Sequence, residues 1–140
     1  MRGLLPVSSK VIEQHQFVSV DGRPTPVYSR WSYLARDPYA VTLAFRTRRG
    51  DWIEWCFARD LLRDGLTGQA GIGDVRVRPD LVEPGKLLVL ELESPDGYAL
   101  VELKRADVER FLAASERAVP HGSEGALVDI DAFIRQVIEV

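Results

Sequence analysis

The sequence predicts an α+β protein: a twisted antiparallel sheet of about seven strands, with a short helix and two C-terminal helices. Apolar and polar residues alternate with a period of two through roughly the first hundred residues, and long stripes with a helical period follow only after that. No strand–helix–strand unit recurs, so the strands are expected to pair antiparallel. The length of 140 residues fits one domain, residues 1–140.

The first two strands are predicted on either side of a hairpin turn. The range Val7–Val20 is rich in Val, Ile and Phe and alternates imperfectly. An Asp-Gly pair at 21–22 follows, which is a strong hairpin signal. The second strand is Val27–Leu34, and the prolines at 24 and 26 keep its start near an edge or free of ladder donors.

The third and fourth strands flank a charged turn at 48–51 and alternate cleanly. The expected core face of the third strand is Tyr39, Val41, Leu43 and Phe45, opposite Ala40, Thr42, Ala44 and Arg46. The expected core face of the fourth strand is Ile53, Trp55 and Phe57, opposite Trp52, Glu54 and Cys56.

In the run ARDLLRDGL the spacing of apolar residues changes from a period of two to a helical period. This change predicts a helix of about two turns over Ala58–Asp64. Asp60 lies near its start, where a negative charge favours the positive end of the helix dipole. Gly65 stands where a left-handed cap is expected, and Leu66 can fold back onto the last turn.

Three more strands are predicted after a glycine-rich loop. Their ranges are Asp74–Arg78, Leu87–Glu93 and Tyr98–Leu103, with a turn at 94–97 between the last two. The residues expected to face inward on the last two strands are Leu88, Leu90, Leu92, Ala99, Val101 and Leu103.

Two helices are predicted at the C-terminus. The first carries a stripe of Val108, Phe111, Leu112 and Ser115 and ends at a Pro-His-Gly break at 120–122. Asp129 is expected to cap the second, whose stripe is Ile130, Phe133, Ile134, Val137 and Ile138.

Charge and composition narrow the class of protein. A net charge of −3 disfavours a general nucleic-acid binder, whose field should be positive. Cys56 is the only cysteine, so neither an intrachain disulfide nor a cysteine-based metal site can form. The start MRGLLPVSSK turns polar too early for a signal peptide, and no apolar run is long enough to span a membrane. We therefore expect a soluble, intracellular protein.

The stretch TGQAGIGDV at 67–75 raises the question of a phosphate-binding loop. Gly68 and Gly73 have the spacing of the two end glycines of a Walker A loop, but Asp74 and Val75 stand where Lys and Ser or Thr are needed. The helix also comes before the loop, whereas the motif needs strand, loop and helix in that order. The pattern favours a loop that changes direction and uses the conformational freedom of glycine.

No catalytic, cofactor-binding or metal-binding residues are predicted. His15 and His121 show no local metal motif and are expected to be solvated, and no histidine is near enough in sequence to activate Cys56. Glu91 and Glu93 share a strand face, which suits acid–base chemistry but is more typical of a solvated sheet.

Trp31 and Trp52 are the candidate residues of a protein-interaction surface. Trp52 is expected opposite the core face, Trp31 lies on a strand flanked by prolines, and tryptophan is enriched at interfaces. Arginines together with aromatic rings on a sheet can also stack single-stranded bases. The arginines concerned are Arg46, Arg48, Arg49, Arg76 and Arg78.

Several blocks of the sequence resemble a known family. The blocks D-P-Y-A-V at 37–41, E-W-C-F-A-R-D-L-L at 54–62 and G-I-G-D-V-R-V at 71–77 resemble the SsgA-like proteins of actinomycetes, which are small regulators of sporulation and cell division. The run from Phe111 to Pro120 and the capped helix from Asp129 are similar as well. The resemblance covers about residues 30–138.

The resemblance implies a non-enzymatic protein that helps to place the division septum and carries no cofactor. The SsgB-like branch recruits FtsZ, the tubulin-like division GTPase, so the implied partners are FtsZ or an SsgA-like paralogue. The implied assembly is a homotrimer with a Whirly-like fold, located in the cytoplasm at the septum without direct membrane insertion. Because Whirly-like proteins bind nucleic acid, single-stranded nucleic-acid binding is the alternative function, although nucleic acid is the less favoured partner.

Overall fold

The computed structural model describes residues 10–125 and Val137. Seven strands and two helices follow one another in that part of the chain, in the predicted α+β order. The elements are β1 (Val11–Val20), β2 (Val27–Leu34), β3 (Ala40–Arg46), β4 (Trp52–Ala58), α1 (Arg59–Asp64), β5 (Val75–Pro79), β6 (Leu87–Ser94), β7 (Gly97–Lys104) and α2 (Arg105–Ala118).

The strands form one antiparallel sheet with the order β4-β3-β2-β1-β7-β6-β5, which confirms the predicted sheet. The first strand, β1, lies in the middle of the sheet and connects the two halves of the sheet. It pairs with β2 from Val11 to Val18 and with β7 only at Ser19 and Val20. The sheet therefore curls at β1 into a half made of β1–β4 and a half made of β5–β7.

The helix α2 covers the inner face of both halves and contacts β1 and β7. Its predicted stripe of Val108, Phe111, Leu112 and Ser115 is buried, as expected. The strands contribute a continuous apolar layer beneath it. Most of that layer comes from Trp31, Tyr33, Val41, Leu43, Phe57, Val77, Leu88, Leu90, Val101 and Leu103.

The predicted faces of β3 and β4 need three corrections. Tyr39, expected on the core face of the third strand, precedes β3 and is 52% exposed. Ile53 is on the core face by register, but it is 55% exposed because β4 is an edge strand and no described element covers its end. Ala44 is on the outer face, yet it is buried. Its cross-strand neighbours are Arg30 and Glu54, and the ion pair between them, 3.5 Å long, passes over its methyl group.

Gly65 does not form the predicted left-handed cap. Its φ is −66° and its ψ is −14°, which are ordinary helical values. The reason for a glycine is a close approach of chains, because a Cβ at this position would lie 2.6 Å from Cβ of Val77 and also collide with its Cγ1. Gly65 thus lets the end of α1 pack against β5.

Arg59 is the first residue of α1 and is completely buried. Its Nη1 donates to the carbonyl oxygens of Ser115 (3.2 Å) and Val119 (2.8 Å) at the end of α2. Its Nη2 donates to Oε2 of Glu124 at 2.8 Å, and the guanidinium lies 4.9 Å from the centre of the Tyr33 ring. One side chain therefore links α1, the end of α2 and β2, a role that the sequence pattern did not reveal.

Two buried titratable groups adjoin Arg59. Burial raises the pKa of Tyr33 to about 12, against a smaller lowering by Arg59. Burial also raises the pKa of Glu124, but the hydrogen bonds that its carboxylate accepts from Arg59 and from the backbone N–H of Gly122 outweigh burial, and the net pKa is below its ordinary value. Glu124 therefore stays ionised opposite the guanidinium.

The second predicted C-terminal helix lies almost wholly outside the described residues. This applies to its cap, Asp129, and to Ile130, Phe133, Ile134 and Ile138 of its stripe. Val137, the one described member of the stripe, is helical and exposed. None of the helices in the described part of the chain is long and apolar enough to cross a membrane.

We expect Gly65→Ala to lower the free energy of unfolding by about 1–3 kcal/mol, because the new methyl group would overpack the buried Val77. Gly73→Ala is the matched control, because a Cβ there meets nothing within 4 Å. Urea unfolding of the two variants measures the difference. Equal stabilities would contradict the close approach of α1 and β5.

We expect the stability of the protein to fall in acid through Glu124. A carboxylate whose pKa is lower in the folded state stabilises the fold above its unfolded pKa of about 4.3, and that contribution disappears as the pH drops through the folded pKa. Glu124→Gln should therefore unfold with a weaker dependence on pH between about 5 and 3 than the unmodified protein. Glu83→Gln, at an exposed loop position, is the control and should leave the dependence unchanged.

Candidate functional site

The outer face of the β1–β4 half of the sheet carries a row of aromatic rings. Phe17 of β1, Tyr28 of β2 and Trp52 of β4 all project to this face by register. The ring centres of Phe17 and Tyr28 lie 5.3 Å apart, and those of Tyr28 and Trp52 lie 6.0 Å apart. The side chain of Phe17 is 59% exposed, so the row ends in a ring that faces solvent.

Two guanidinium groups cover the Trp52 ring. The Cζ atom of Arg30 lies 4.4 Å from the ring centre, and that of Arg46 lies 5.1 Å from it. Contacts of this kind are worth about 0.5–1 kcal/mol at exposed sites. We call the set of Phe17, Tyr28, Arg30, Arg46 and Trp52 the Trp52 cluster.

His15 borders the Trp52 cluster but does not meet the other histidine. Its Nε2 lies 3.1 Å from a carboxylate oxygen of Glu13, and its Nδ1 lies 2.6 Å from the Tyr28 hydroxyl. If Nε2 carries the proton and donates to Glu13, Nδ1 accepts a hydrogen bond from Tyr28. His15 therefore orients the Tyr28 ring within the row.

The chemistry of the Trp52 cluster suits contact with another macromolecule. Trp, Tyr and Arg are the residues most enriched at the energetic centres of protein interfaces. The strands hold their backbones rigidly, so little conformational entropy would be lost on binding. Sequence reasoning found Trp52 and Arg46 but missed Phe17, Tyr28 and Arg30. Alternation within β1 and within β2 is the signal available for them, and the register that brings them together is seen only in the structure.

Trp31 does not belong to this surface, and its prediction is wrong. Its side chain is 0% exposed and faces the core. The ring stacks on Phe111 of α2 with centres 5.3 Å apart and makes a T-shaped contact with Phe57, with centres 6.0 Å apart. The pairing of Trp31 with Leu43 on β3 puts both on the inner face.

Within the glycine-rich loop, packing and backbone conformation require a glycine at Gly71. Gly71 has a φ of +94°, and a Cβ there would lie 2.5 Å from the carbonyl oxygen of Val75 and 2.9 Å from Cδ1 of Leu61. Ala70 forms a bridge with Val77, so the loop folds along the edge of β5. These contacts account for glycine without a phosphate.

His121 is 51% exposed, as expected for a solvated histidine, and it also lies beside two carboxylates. Its Nδ1 is 3.4 Å from Asp60 and 3.9 Å from Glu124, and one ligand atom from each of the three lies within 4.8 Å of the others. A metal ion could bind there only by competing with hydrogen bonds, because both carboxylate oxygens of Glu124 already accept one, from Arg59 and Gly122. The arrangement is best described as the buried Arg59–Glu124 ion pair with His121 and Asp60 at its exposed edge.

Glu91 and Glu93 belong to a charged ladder on the other half of the sheet. Glu91 accepts a hydrogen bond from the Tyr98 hydroxyl at 2.9 Å, and this bond lowers the pKa of Glu91 most, with Arg76 and Arg78 adding to it against a smaller rise from burial. A general acid needs a raised pKa, so the ladder is not poised for that role. Glu91 instead forms ion pairs with Arg76 and Arg78.

The remaining candidate residues lie outside this ladder. Arg48 and Arg49 are exposed in the β3–β4 turn, and Cys56 is exposed on β4.

A family model described as "Streptomyces sporulation and cell division protein, SsgA" matches residues 27–124. A Frankia casuarinae protein named sporulation-specific cell division protein SsgB is 43% identical over 117 residues, covering 84% of this chain and 82% of its own. The protein of that name from Streptomyces coelicolor is 39% identical over 113 residues, covering 81% and 82%.

Two solved structures are similar to this one. An SsgA-like sporulation-specific cell division protein from Thermobifida fusca superposes with a TM-score of 0.81 at 33% identity, covering 92% of this chain and 96% of its own. The other, described by the words "Mutations in SsgB correlate to longitudinal cell division during sporulation of Streptomyces coelicolor", gives a TM-score of 0.78 at 35% identity, covering 86% and 97%.

We expect the two tryptophans to differ sharply in their contribution to stability. Trp31→Ala should cost about 3–5 kcal/mol, because it empties a large buried volume. Trp52→Ala should cost about 1 kcal/mol, mainly from the lost contacts with two arginines. Urea unfolding of both variants tests the assignment, and a larger loss for Trp52→Ala would reverse it.

Proposed function

The chain belongs to the SsgA family of sporulation and cell division proteins, and we propose that it is a non-enzymatic regulator that helps to place the septum by recruiting FtsZ through protein–protein contacts. The observation that carries this proposal is the Trp52 cluster. It is an outward-facing set of aromatic rings and guanidinium groups, and no described element covers it.

The relatives support a role in division. Those named here are sporulation-specific cell division proteins, and mutations in one of them, SsgB, correlate with longitudinal cell division during sporulation. Longitudinal division is a change in the plane of the septum. A protein whose mutations accompany that change is suited to act on septum placement.

The restricted rings and exposed apolar area of the Trp52 cluster are suited to binding another protein. Trp52 contacts two guanidinium groups, which restrict its ring before any partner binds. Phe17 offers an exposed ring at the end of the row. A partner that buries Phe17 and the free parts of Tyr28 and Trp52 would remove apolar area from water at about 25 cal/mol per Å².

We further propose that the protein acts as a homotrimer at the division septum, in the cytoplasm, with a Whirly-like fold. An SsgA-like paralogue is the alternative direct partner, which would link this chain to FtsZ indirectly. Light scattering measures the mass of the assembly, and a monomeric mass would contradict the trimer.

Single-stranded nucleic-acid binding is the second candidate function. Rings flanked by arginines are also the elements that stack bases, which is the observation in its favour. Such binding weakens steeply with salt. Titration of a labelled oligonucleotide at two salt concentrations tests it, and micromolar, salt-sensitive affinity would favour it over recruitment of FtsZ.

We expect Trp52→Ala to reduce co-sedimentation of the protein with polymerised FtsZ by roughly 30-fold in affinity, as for an interface residue worth about 2 kcal/mol. Tyr39→Ala is the matched control, because it removes another exposed aromatic ring, outside the cluster. Melting temperatures confirm that both variants fold. Absence of binding by the unmodified protein, with or without a paralogue present, would overturn recruitment.

A further inference from the structure

The end of the sheet where the β1–β2 and β3–β4 connections lie contains a groove of about 600 Å³ on the outer side. We call it the arginine groove. Its walls include Phe17 and Tyr28 from the Trp52 cluster and three arginines, Arg23, Arg46 and Arg48. Asp21 is its only acidic lining residue, and one of its carboxylate oxygens accepts a hydrogen bond from the backbone N–H of Leu100 at 2.8 Å.

The three arginines of the groove differ from the other arginines of the outer face. Arg30, Arg76 and Arg78 each have a glutamate within 3.5 Å. In residues 10–125, no carboxylate lies within 4.0 Å of Arg23, Arg46 or Arg48. The groove therefore presents cations whose charges the described chain does not neutralise.

An apolar cleft of about 350 Å³ adjoins the arginine groove on the inner side of the sheet. It lies between the two halves of the sheet, with Phe45, Ile53 and Trp55 on one wall and Leu92 and Val101 on the other. The two concavities share a rim made of Val20, Val27, Arg46 and Thr47. A single bound segment could therefore reach both.

The walls of the groove are held in place by the backbone. Asp21 and Gly22 have positive φ values of 54° and 68°, and the N–H of Arg23 donates to the carbonyl oxygen of Val20 at 3.1 Å. In the other wall, the N–H of Thr47 donates to the carbonyl oxygen of Asp51 at 2.8 Å. The site is therefore largely formed before any ligand arrives.

We propose that the arginine groove and the apolar cleft together bind an acidic segment of a partner protein that carries one large apolar side chain. Carboxylates of the segment pair with Arg23, Arg46 and Arg48, and the apolar side chain enters the cleft beside Ile53 and Trp55. This inference rests on the proposed function, since it names the chemistry of the protein segment that such a regulator recognises.

Charge along the outer face favours a peptide over a nucleic-acid strand. Beyond Arg30, the same face turns acidic, with Glu13, Asp37 and Glu54 around a second depression. A nucleic-acid strand running along the sheet would bring its phosphates against those carboxylates. A short acidic segment needs only the basic end, and the cleft is lined mainly by apolar side chains, which fits a hydrocarbon side chain.

The test uses fluorescence anisotropy with a labelled peptide that carries several glutamates around one phenylalanine. We expect micromolar binding that weakens about tenfold in the Arg23→Glu/Arg48→Glu variant and in Ile53→Ser. The matched controls are Arg36→Glu, an exposed arginine in the β2–β3 turn, and Leu81→Ser, an exposed residue of the β5–β6 loop. Neither control should change the affinity.

Other peptides and an oligonucleotide complete the design. A peptide with glutamine in place of glutamate, or alanine in place of phenylalanine, should bind about tenfold more weakly than the acidic one. The proposal is overturned if the acidic peptide fails to bind at about 1 mM, if the controls weaken it equally, or if oligothymidylate binds more tightly through the same arginines.

Co-sedimentation with FtsZ separates this proposal from the proposed function. If FtsZ binds the unmodified protein and the groove and cleft variants alike, the arginine groove is not the partner site, and recruitment stands. If the acidic peptide binds as expected but FtsZ does not, the groove stands and the proposed partner is wrong.

Discussion

The buried guanidinium of Arg59 is the interaction on which the arrangement of the layers depends. It sits at the junction of β4 and α1 and donates to two carbonyl oxygens near the end of α2 and to the carboxylate of Glu124. An ion pair between Arg63 and Glu116 joins the same two helices nearer the surface. A buried charge is tolerated only when it is paired and hydrogen-bonded, so the three segments must meet in this geometry.

This junction commits one face of the sheet to the core and leaves the other to solvent. Because α2 packs across the inner face, its Phe111 ring helps to bury Trp31, Leu43 and neighbouring core residues. The outer face of the β1–β4 half has no second layer in residues 10–125, and it is covered only by its own long side chains. The charges on this face are separated. Arginines lie at the end of the sheet that carries the β1–β2 and β3–β4 connections, and glutamates lie toward the opposite end. The surface proposed to bind partners is therefore exposed because α2 packs against the inner face of the sheet and no described element packs against the outer face.

Sequence patterns predicted the strands well and the faces less well. Alternation identified each strand, because a period of two is a local property of an extended chain. It placed Trp52 outward but also placed Trp31 on the interaction surface, since only the pairing with β3 and the position of α2 show which side of β2 is covered. The burial of Ala44 and the exposure of Ile53 likewise depend on cross-strand neighbours and on the edge position of β4. The glycines at 65 and 71 were correctly taken as structural, but the reason at 65 is contact with Val77 and not the conformation of a cap.

By itself the sequence determined the fold class, the order of the elements, the resemblance to the SsgA-like proteins and the outward position of Trp52. These depend on periodicity, turn residues and ordered blocks that can be recognised within a short window of chain. Only the tertiary structure decided that Arg59 bridges three segments and that Phe17, Tyr28 and two arginines gather around Trp52. The arginine groove and the apolar cleft also share a rim only in three dimensions. Each of these features joins residues from different strands, and their distances are set by register and by the curl of the sheet at β1, which no local pattern encodes.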